Sequence, residues 1–114
     1  KATFLPMKSS EEYKRFAFAY TIKIENCSNQ TVTLETRRWE IIDANNAVQY
    51  VEGAGVVGET PRLAPGETYS YTSGAVIETE TGTMEGSYGM VTDEGEHFDV
   101  PIPLFALVAP SNLH

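Results

Sequence analysis

Phe16-Ala17-Phe18-Ala19-Tyr20-Thr21-Ile22-Lys23-Ile24-Glu25 is the stretch on which the fold turns. Every second residue from Phe16 to Ile24 is large and apolar, while the residues between pass from Ala to Thr, Lys and Glu. Successive side chains of a strand point to opposite faces, so this is a long strand with one face in a core and the other increasingly wet. Asn26 to Gln30 follows and is rich in turn formers. It contains two glycosylation-type triplets, Asn26-Cys27-Ser28 and Asn29-Gln30-Thr31, which are read here as turn chemistry.

The same period continues outward. Thr31 to Asp43 holds Val32 and Leu34 in one phase and Trp39 and Ile41 in the other, so a bulge or kink is expected between Glu35 and Arg38. Asp43-Ala44-Asn45-Asn46 reads as a hairpin turn, because Asn tolerates positive φ. A strand returns over Ala47 to Glu52, and a glycine-rich loop, Gly53 to Gly58, comes next. Pro65-Gly66 marks a turn. Further strands are expected over Thr68 to Ile77, Thr83 to Val91 and Phe98 to Leu104. In the last of these, Phe98, Val100, Ile102 and Leu104 share one phase. Pro101 and Pro103 both remove donors on the same side, which makes it an edge or bulged strand. The one helical candidate is Ser9 to Arg15, one or two turns with Ser9 and Glu12 spaced as a capping box. Seven or eight short strands with frequent turns indicate an all-β antiparallel sandwich forming a single domain over residues 1–114.

Charge narrows the function. The 114 residues carry 8 Lys and Arg against 16 Asp and Glu, a net charge of −8. All the basic residues lie at or before Arg62; the remainder holds acids alone. No electropositive footprint for nucleic acid exists, and an anionic membrane surface would repel the C-terminal half. The longest apolar run, Leu104 to Ala109, is too short to span a bilayer. A lone Cys27 excludes an internal disulfide and fits a reducing, cytoplasmic setting.

Few residues are candidates for chemistry. Gly53, Gly55 and Gly58 have dinucleotide-loop spacing, but Pro61 and Pro65-Gly66 stand where the required helix would begin. What survives is an anion nest of loop amides with Arg62 beside it, against flanking Glu52 and Glu59 and the alternative that the glycines serve positive φ or close packing. His97 and Asp99 share a strand face and Glu85 can join from a neighbour, a loose set for a divalent cation or simply a solvated sheet face. Cys27 lacks a visible base, and no serine stands in a nucleophile elbow. No catalytic constellation emerges and no resident cofactor is implied. Arg37, Arg38, Trp39 and Phe98 are instead candidates for binding a protein, although in a sandwich Trp39 is first a core anchor and only an exposed Trp beside Arg would be a hot spot. An exposed edge strand could recruit a partner's strand or a second copy as a homodimer.

Six segments carry a family likeness. They are Arg37-Arg38-Trp39, Gly53-x-Gly55-Val56-Val57-Gly58-x-x-Pro61, Leu63-x-Pro65-Gly66, Tyr69-x-Tyr71-Thr72-Ser73, Gly82-x-Met84-x-Gly86-x-Tyr88 and Phe98-x-Val100-x-Ile102-Pro103-x-Phe105. In order and spacing, from about Phe18 to Leu107, they resemble the ApaG family. The resemblance implies an immunoglobulin-like or fibronectin type III-like sandwich. It implies a small bacterial stand-alone protein of a kind linked to cobalt tolerance and magnesium handling. It also implies a protein-interaction role, since eukaryotic relatives carry the domain at the C-terminal end of F-box proteins and of a DNA-polymerase-delta-interacting protein. The family's glycine loop, proposed to bind pyrophosphate, maps to Gly53, Gly55 and Gly58. Two positions depart: Arg38 stands where many members have His, and Leu104 where many have a second Pro.

Overall fold

A computed structural model describes residues 2–110. Eight strands form two antiparallel sheets: β1 (Ala2–Phe4), β2 (Phe16–Glu25), β3 (Val32–Asp43), β4 (Val48–Ala54), β5 (Arg62–Leu63), β6 (Thr68–Ile77), β7 (Thr81–Thr92) and β8 (His97–Val108). One sheet runs β1-β2-β6, the other β4-β3-β7-β8, with the short β5 paired to β3. This is the order of an immunoglobulin-type sandwich, three strands facing five once the short β5 is counted. No helix of the described residues is long and apolar enough to cross a membrane.

The period-two reading of β2 holds. Phe16, Phe18 and Tyr20 are buried, and β2 pairs β6 along its whole length, from Phe16 opposite Ile77 to Glu25 opposite Thr68. Ala17 is buried as well, because the N-terminal segment folds over it: Leu5 N–H donates to its carbonyl at 2.8 Å and its own N–H donates to Ser9 Oγ at 2.9 Å. The expected helix over Ser9 to Arg15 is absent. A 3₁₀ turn at Pro6–Lys8 precedes a loop in which Ser10 and Arg15 exchange main-chain hydrogen bonds of 2.7 and 2.8 Å. Lys14 sits at φ 52°, outside helical space, so the capping-box spacing had no helix to cap.

The expected bulge is present: β3 and β7 pair Leu34 with Met90 and then Thr36 with Gly89, leaving Glu35 out. That skip returns Trp39, Ile41 and Asp43 to the core face. Asp43 then builds the hairpin turn, its Oδ1 accepting from Asn45 N–H at 2.8 Å and Ala47 N–H at 3.0 Å. Asn26 is buried with its amide fully used. Nδ2 donates to Gln30 and Leu63 carbonyls, and Oδ1 accepts from Ser28.

A second irregularity was not foreseen. Met84 faces Phe105 but Gly86 faces Ile102, so β8 has one more residue than β7 across this step. The extra residue reverses the phase of β8. The alternation puts Leu104 in phase with Phe98, Val100 and the buried Ile102, yet it is 56% exposed; Phe105 and Leu107 turn inward instead. Pro101 and Pro103 do lie in an edge strand, as their missing donors require. Trp39, 2% exposed, is the centre of the core. Its ring lies 5.3 Å from Tyr20, 5.9 Å from Phe105 and 6.4 Å from Tyr88, all edge-on.

Candidate functional site

The outer face of the sheet β4-β3-β7-β8 carries a polar concavity. Thr36 faces Gly89, which faces Asp99; Arg38 faces Glu52 on one side and Ser87 on the other. Ser87 and Gly89 are small, so the middle of this face sinks into a depression of ≈ 400 Å³. Arg38 Nε stands 3.6 Å from Glu52 Oε2, with both side chains about two-thirds exposed. Such a wet pair adds little stability and leaves the guanidinium open to a partner. On the same face of edge strand β4, Tyr50 follows the same alternation as Glu52 and is 71% exposed. Tyr50 was not singled out in the sequence, where its parity relative to the core could not be known.

The residues expected to bind protein do not form one patch. Arg38 is on the outer face. Trp39 is buried and unavailable, a correction that follows from the Glu35 bulge, which sets its phase inward. Arg37 shares that inward phase and is half-buried, yet it lines the same depression as Arg38. Phe98, 41% exposed, belongs to the core phase of β8 and borders an apolar cavity with Met90 and Leu63, on the opposite side of the sheet from Arg38.

Arg37, not Arg62, is the cation of the glycine loop. Its Nη1 donates to the carbonyls of Ala54 and Gly55, both at 3.0 Å. Gly53 lies opposite it, where a Cβ would come within 2.9 Å of Nη2. Arg62 turns to Asp93, donating from Nε at 3.3 Å and forming a close ion pair through Nη2. The loop amides are largely occupied: Gly55 N–H donates to Glu35 O at 2.7 Å, while Val56 and Glu59 bond each other's main chains. The nest expected of Gly53, Gly55, Gly58 and Arg62 is therefore not assembled as drawn from the spacing.

The loose metal set also separates. His97 is opposite Val91 and Asp99 opposite Gly89, but Glu85 lies six residues from Val91 along β7, roughly 20 Å at strand rise. His97 Nδ1 instead approaches Glu35 Oε1 at 3.6 Å. Among the described residues no cluster of three His, Cys, Asp or Glu side chains could hold an ion.

The buried tyrosines are bound to each other. Tyr71 of β6 and Tyr88 of β7 share a short hydroxyl–hydroxyl hydrogen bond between the two sheets. Burial, above all, pushes the Tyr71 phenol up to about 12, and burial together with the Tyr71 hydroxyl pushes Tyr88 further still. Tyr20 is raised by burial too. All three are neutral at physiological pH, and their hydroxyls act as structural dipoles.

A family model described as the ApaG domain matches residues 6–92. The chain belongs to the ApaG family. Protein ApaG of Shewanella baltica is 49% identical over 114 residues, covering all of this chain and 90% of the relative. Protein ApaG of Nitrosospira multiformis is 51% identical over 112 residues, 98% of this chain and 88% of the relative. The crystal structure of the putative ApaA protein from Bordetella pertussis superposes with a TM-score of 0.93 at 42% identity, covering 96% of this chain and 89% of that one. The domain thus presents two surfaces here: a polar depression lined by Arg37, Arg38, Glu52 and Gly53, and an apolar cavity beside Phe98.

Proposed function

We propose that this ApaG-domain chain is a non-enzymatic, cytoplasmic protein-interaction module, and that the cobalt tolerance and magnesium handling associated with the family run through its partner. The observation that carries the reading is Tyr50, 71% exposed in an edge strand, beside the open Arg38 guanidinium above the ≈ 400 Å³ depression. An exposed aromatic next to an arginine is the composition of an interface hot spot. The titratable groups with raised pKa lie inside the sandwich or in hydrogen bonds between side chains, not converging on a cleft, which favours recognition over catalysis.

Affinity capture from a bacterial lysate tests this. Wild-type chain should retain a specific protein that the Tyr50→Ala and Arg38→Ala variants lose. Equal retention by all three removes this face from the proposal, and repeated recovery of nothing removes the proposal.

A second reading has one supporting observation, the Arg37 guanidinium lying against Gly53 and Gly55. There the chain would bind a pyrophosphate or nucleotide anion at the rim. An anion at 100 times its Kd should raise the unfolding free energy by about 2.7 kcal/mol. A flat thermal-shift series with pyrophosphate and nucleotides eliminates it.

A further inference from the structure

β4 is an edge strand whose free side carries a short, bounded row of main-chain groups. Among the described residues it pairs with β3 alone. Asp43 N–H donates to Ala47 O and Gly55 N–H donates to Glu35 O, both bonds joining this segment to β3. Main-chain groups alternate sides along a strand, so Gln49, Val51 and Gly53 also face β3. Val48, Tyr50, Glu52 and Ala54 turn their N–H and C=O groups outward. Both ends of this row are closed. Arg37, opposite Gly53, crosses over that glycine and donates from Nη1 to the Ala54 carbonyl at 3.0 Å. At the other end Asn46, at φ 65°, turns the chain, and Asp43 Oδ1 accepts from the Ala47 N–H. The open ladder therefore runs from Val48 to Glu52 and is centred on Tyr50. β1 lies against β8, on the far side of the sandwich, so this edge does not depend on what adjoins β1.

Edge strands are guarded by proline or lysine where pairing must be prevented. β8, the opposite edge of the same sheet, has Pro101 and Pro103, whereas residues 48–52 contain neither proline nor lysine. β6, an edge of the smaller sheet, exposes Thr68, Ser70, Thr72 and Gly74, which offer no large side chain to a cross-strand pair. On β4 the exposed Val48, Tyr50 and Glu52 share the outer face, and Glu52 is met by Arg38 of its own chain. Symmetry selects the occupant. A row of outward groups centred on one residue is its own antiparallel complement about a two-fold axis. With the axis at Tyr50, that residue faces the Tyr50 of a second copy and Val48 faces the second copy's Glu52, so Val48, Tyr50 and Glu52 all meet outward groups. A shift either way sets one of them against Asn46 or against Ala54, whose carbonyl Arg37 already holds. Charge agrees with this choice. The acids Glu85, Asp93, Glu94, Glu96 and Asp99 belong to the β7-β8 end of the sheet. Joining two β4 edges leaves the β8 strands about 34 Å apart, several Debye lengths.

We propose that a second copy of this chain pairs with β4, forming a two-fold dimer in which the larger sheets join across antiparallel Val48–Glu52 edges. The Tyr50 rings meet across the axis on the outer face, and the Arg38 depressions of the two copies lie on one continuous surface. Main-chain bonds supply the affinity, and the Tyr50 pair fixes the register. The paired segment is short and buries little area, so the dissociation constant is on the order of 0.1 mM. The dimer rests on the reading of this face as an interaction surface and names a partner for its edge. Arg38 stands one strand in from that edge, so its variant separates the two claims.

Sedimentation equilibrium of the full chain from about 10 μM to about 1 mM tests this, in about 0.3 M salt to screen the repulsion between copies of net charge −8. The expected result is a monomer–dimer equilibrium, with the Tyr50 amide gaining protection from exchange as concentration rises. Tyr50→Lys removes the aromatic pair and sets like charges face to face across the axis, so it should weaken the dimer about tenfold or more. Val48→Lys places a cation opposite the second copy's Glu52 on both sides of the axis and should tighten the dimer about fivefold. Both changes replace exposed side chains, so unfolding midpoints should stay close to wild type. Arg38→Ala should dimerise as wild type does. Three outcomes overturn the proposal: a chain that stays monomeric over the whole range, a dimer that Tyr50→Lys leaves unchanged, or one that Val48→Lys fails to tighten. A monomeric chain that still retains a lysate protein through Arg38 overturns the dimer alone. A dimer formed as expected, whose Arg38→Ala variant retains every captured protein, upholds the pairing and removes the Arg38 face from the interaction reading.

Discussion

Removing the Tyr88 hydroxyl should destabilise the protein far more than removing both hydroxyls of the tyrosine pair. Tyr71 is 7% and Tyr88 2% exposed, and their ring centroids are 6.4 Å apart at 73°. The hydroxyl bond links facing sheets, so each oxygen's partner belongs to the other layer. Tyr88→Phe keeps the ring and its packing but leaves the Tyr71 hydroxyl in a site where desolvation already raises its pKa to about 12. The net gain from such a bond is only about 1 kcal/mol, whereas a buried hydroxyl left without a partner costs about 1–3 kcal/mol. Tyr88→Phe and Tyr71→Phe should each lower stability by about 1–3 kcal/mol, or about 4–12 °C in Tm for a chain of this size. The double variant should fall within about 1 kcal/mol of wild type, because no polar atom is then stranded. Urea denaturation of all four proteins, with a common m-value, gives the coupling directly. If the two single losses simply add in the double variant, the hydroxyls are solvated independently and the reasoning fails.

Other outcomes follow from the same structure. Gly55 has φ +62° and a Cβ there would stand 2.1 Å from Glu59 O, so Gly55→Ala should cost about 3 kcal/mol; Gly58, at φ +78° with open space around it, should cost only about 1 kcal/mol in the same denaturation assay. Val57 is exposed with φ 48°, a conformation that β-branched residues avoid, so Val57→Asn should raise stability by about 0.5–1 kcal/mol. Alkaline titration should expose the tyrosines. Tyr20, Tyr71 and Tyr88 are raised above 10 in the folded state, so the unfolded chain loses its phenolic protons first, and stability should be full below pH 10 and fall as pH rises toward 12 and beyond. Chemical denaturation midpoints at pH 8, 10 and 11 check this; a midpoint that does not move between 10 and 11 contradicts it.

Residue alternation, with the proline and turn-residue positions, determined the all-β class, the long strands β2 and β3, the bulge near Glu35, the hairpin at Asp43 and the edge character of the Pro101–Pro103 strand. Each depends on local geometry: side chains alternate every residue, proline lacks a donor, and asparagine and aspartate close turns. Only the assembled sandwich decided the rest. Whether Trp39 faces in or out depends on a one-residue skip against β7, and Leu104 was misplaced because its phase is set by an extra residue relative to Met84 and Gly86. Strands as short as β1 and β5 carry too few residues to show a period, so their pairing with β2 and β3 could not be seen. The candidate sites were least legible of all. Gly53, Arg37 and Glu52 are brought together by cross-strand register, and Glu85 is kept from His97 by the same register. Register is a property of pairs of strands and cannot be read from either one.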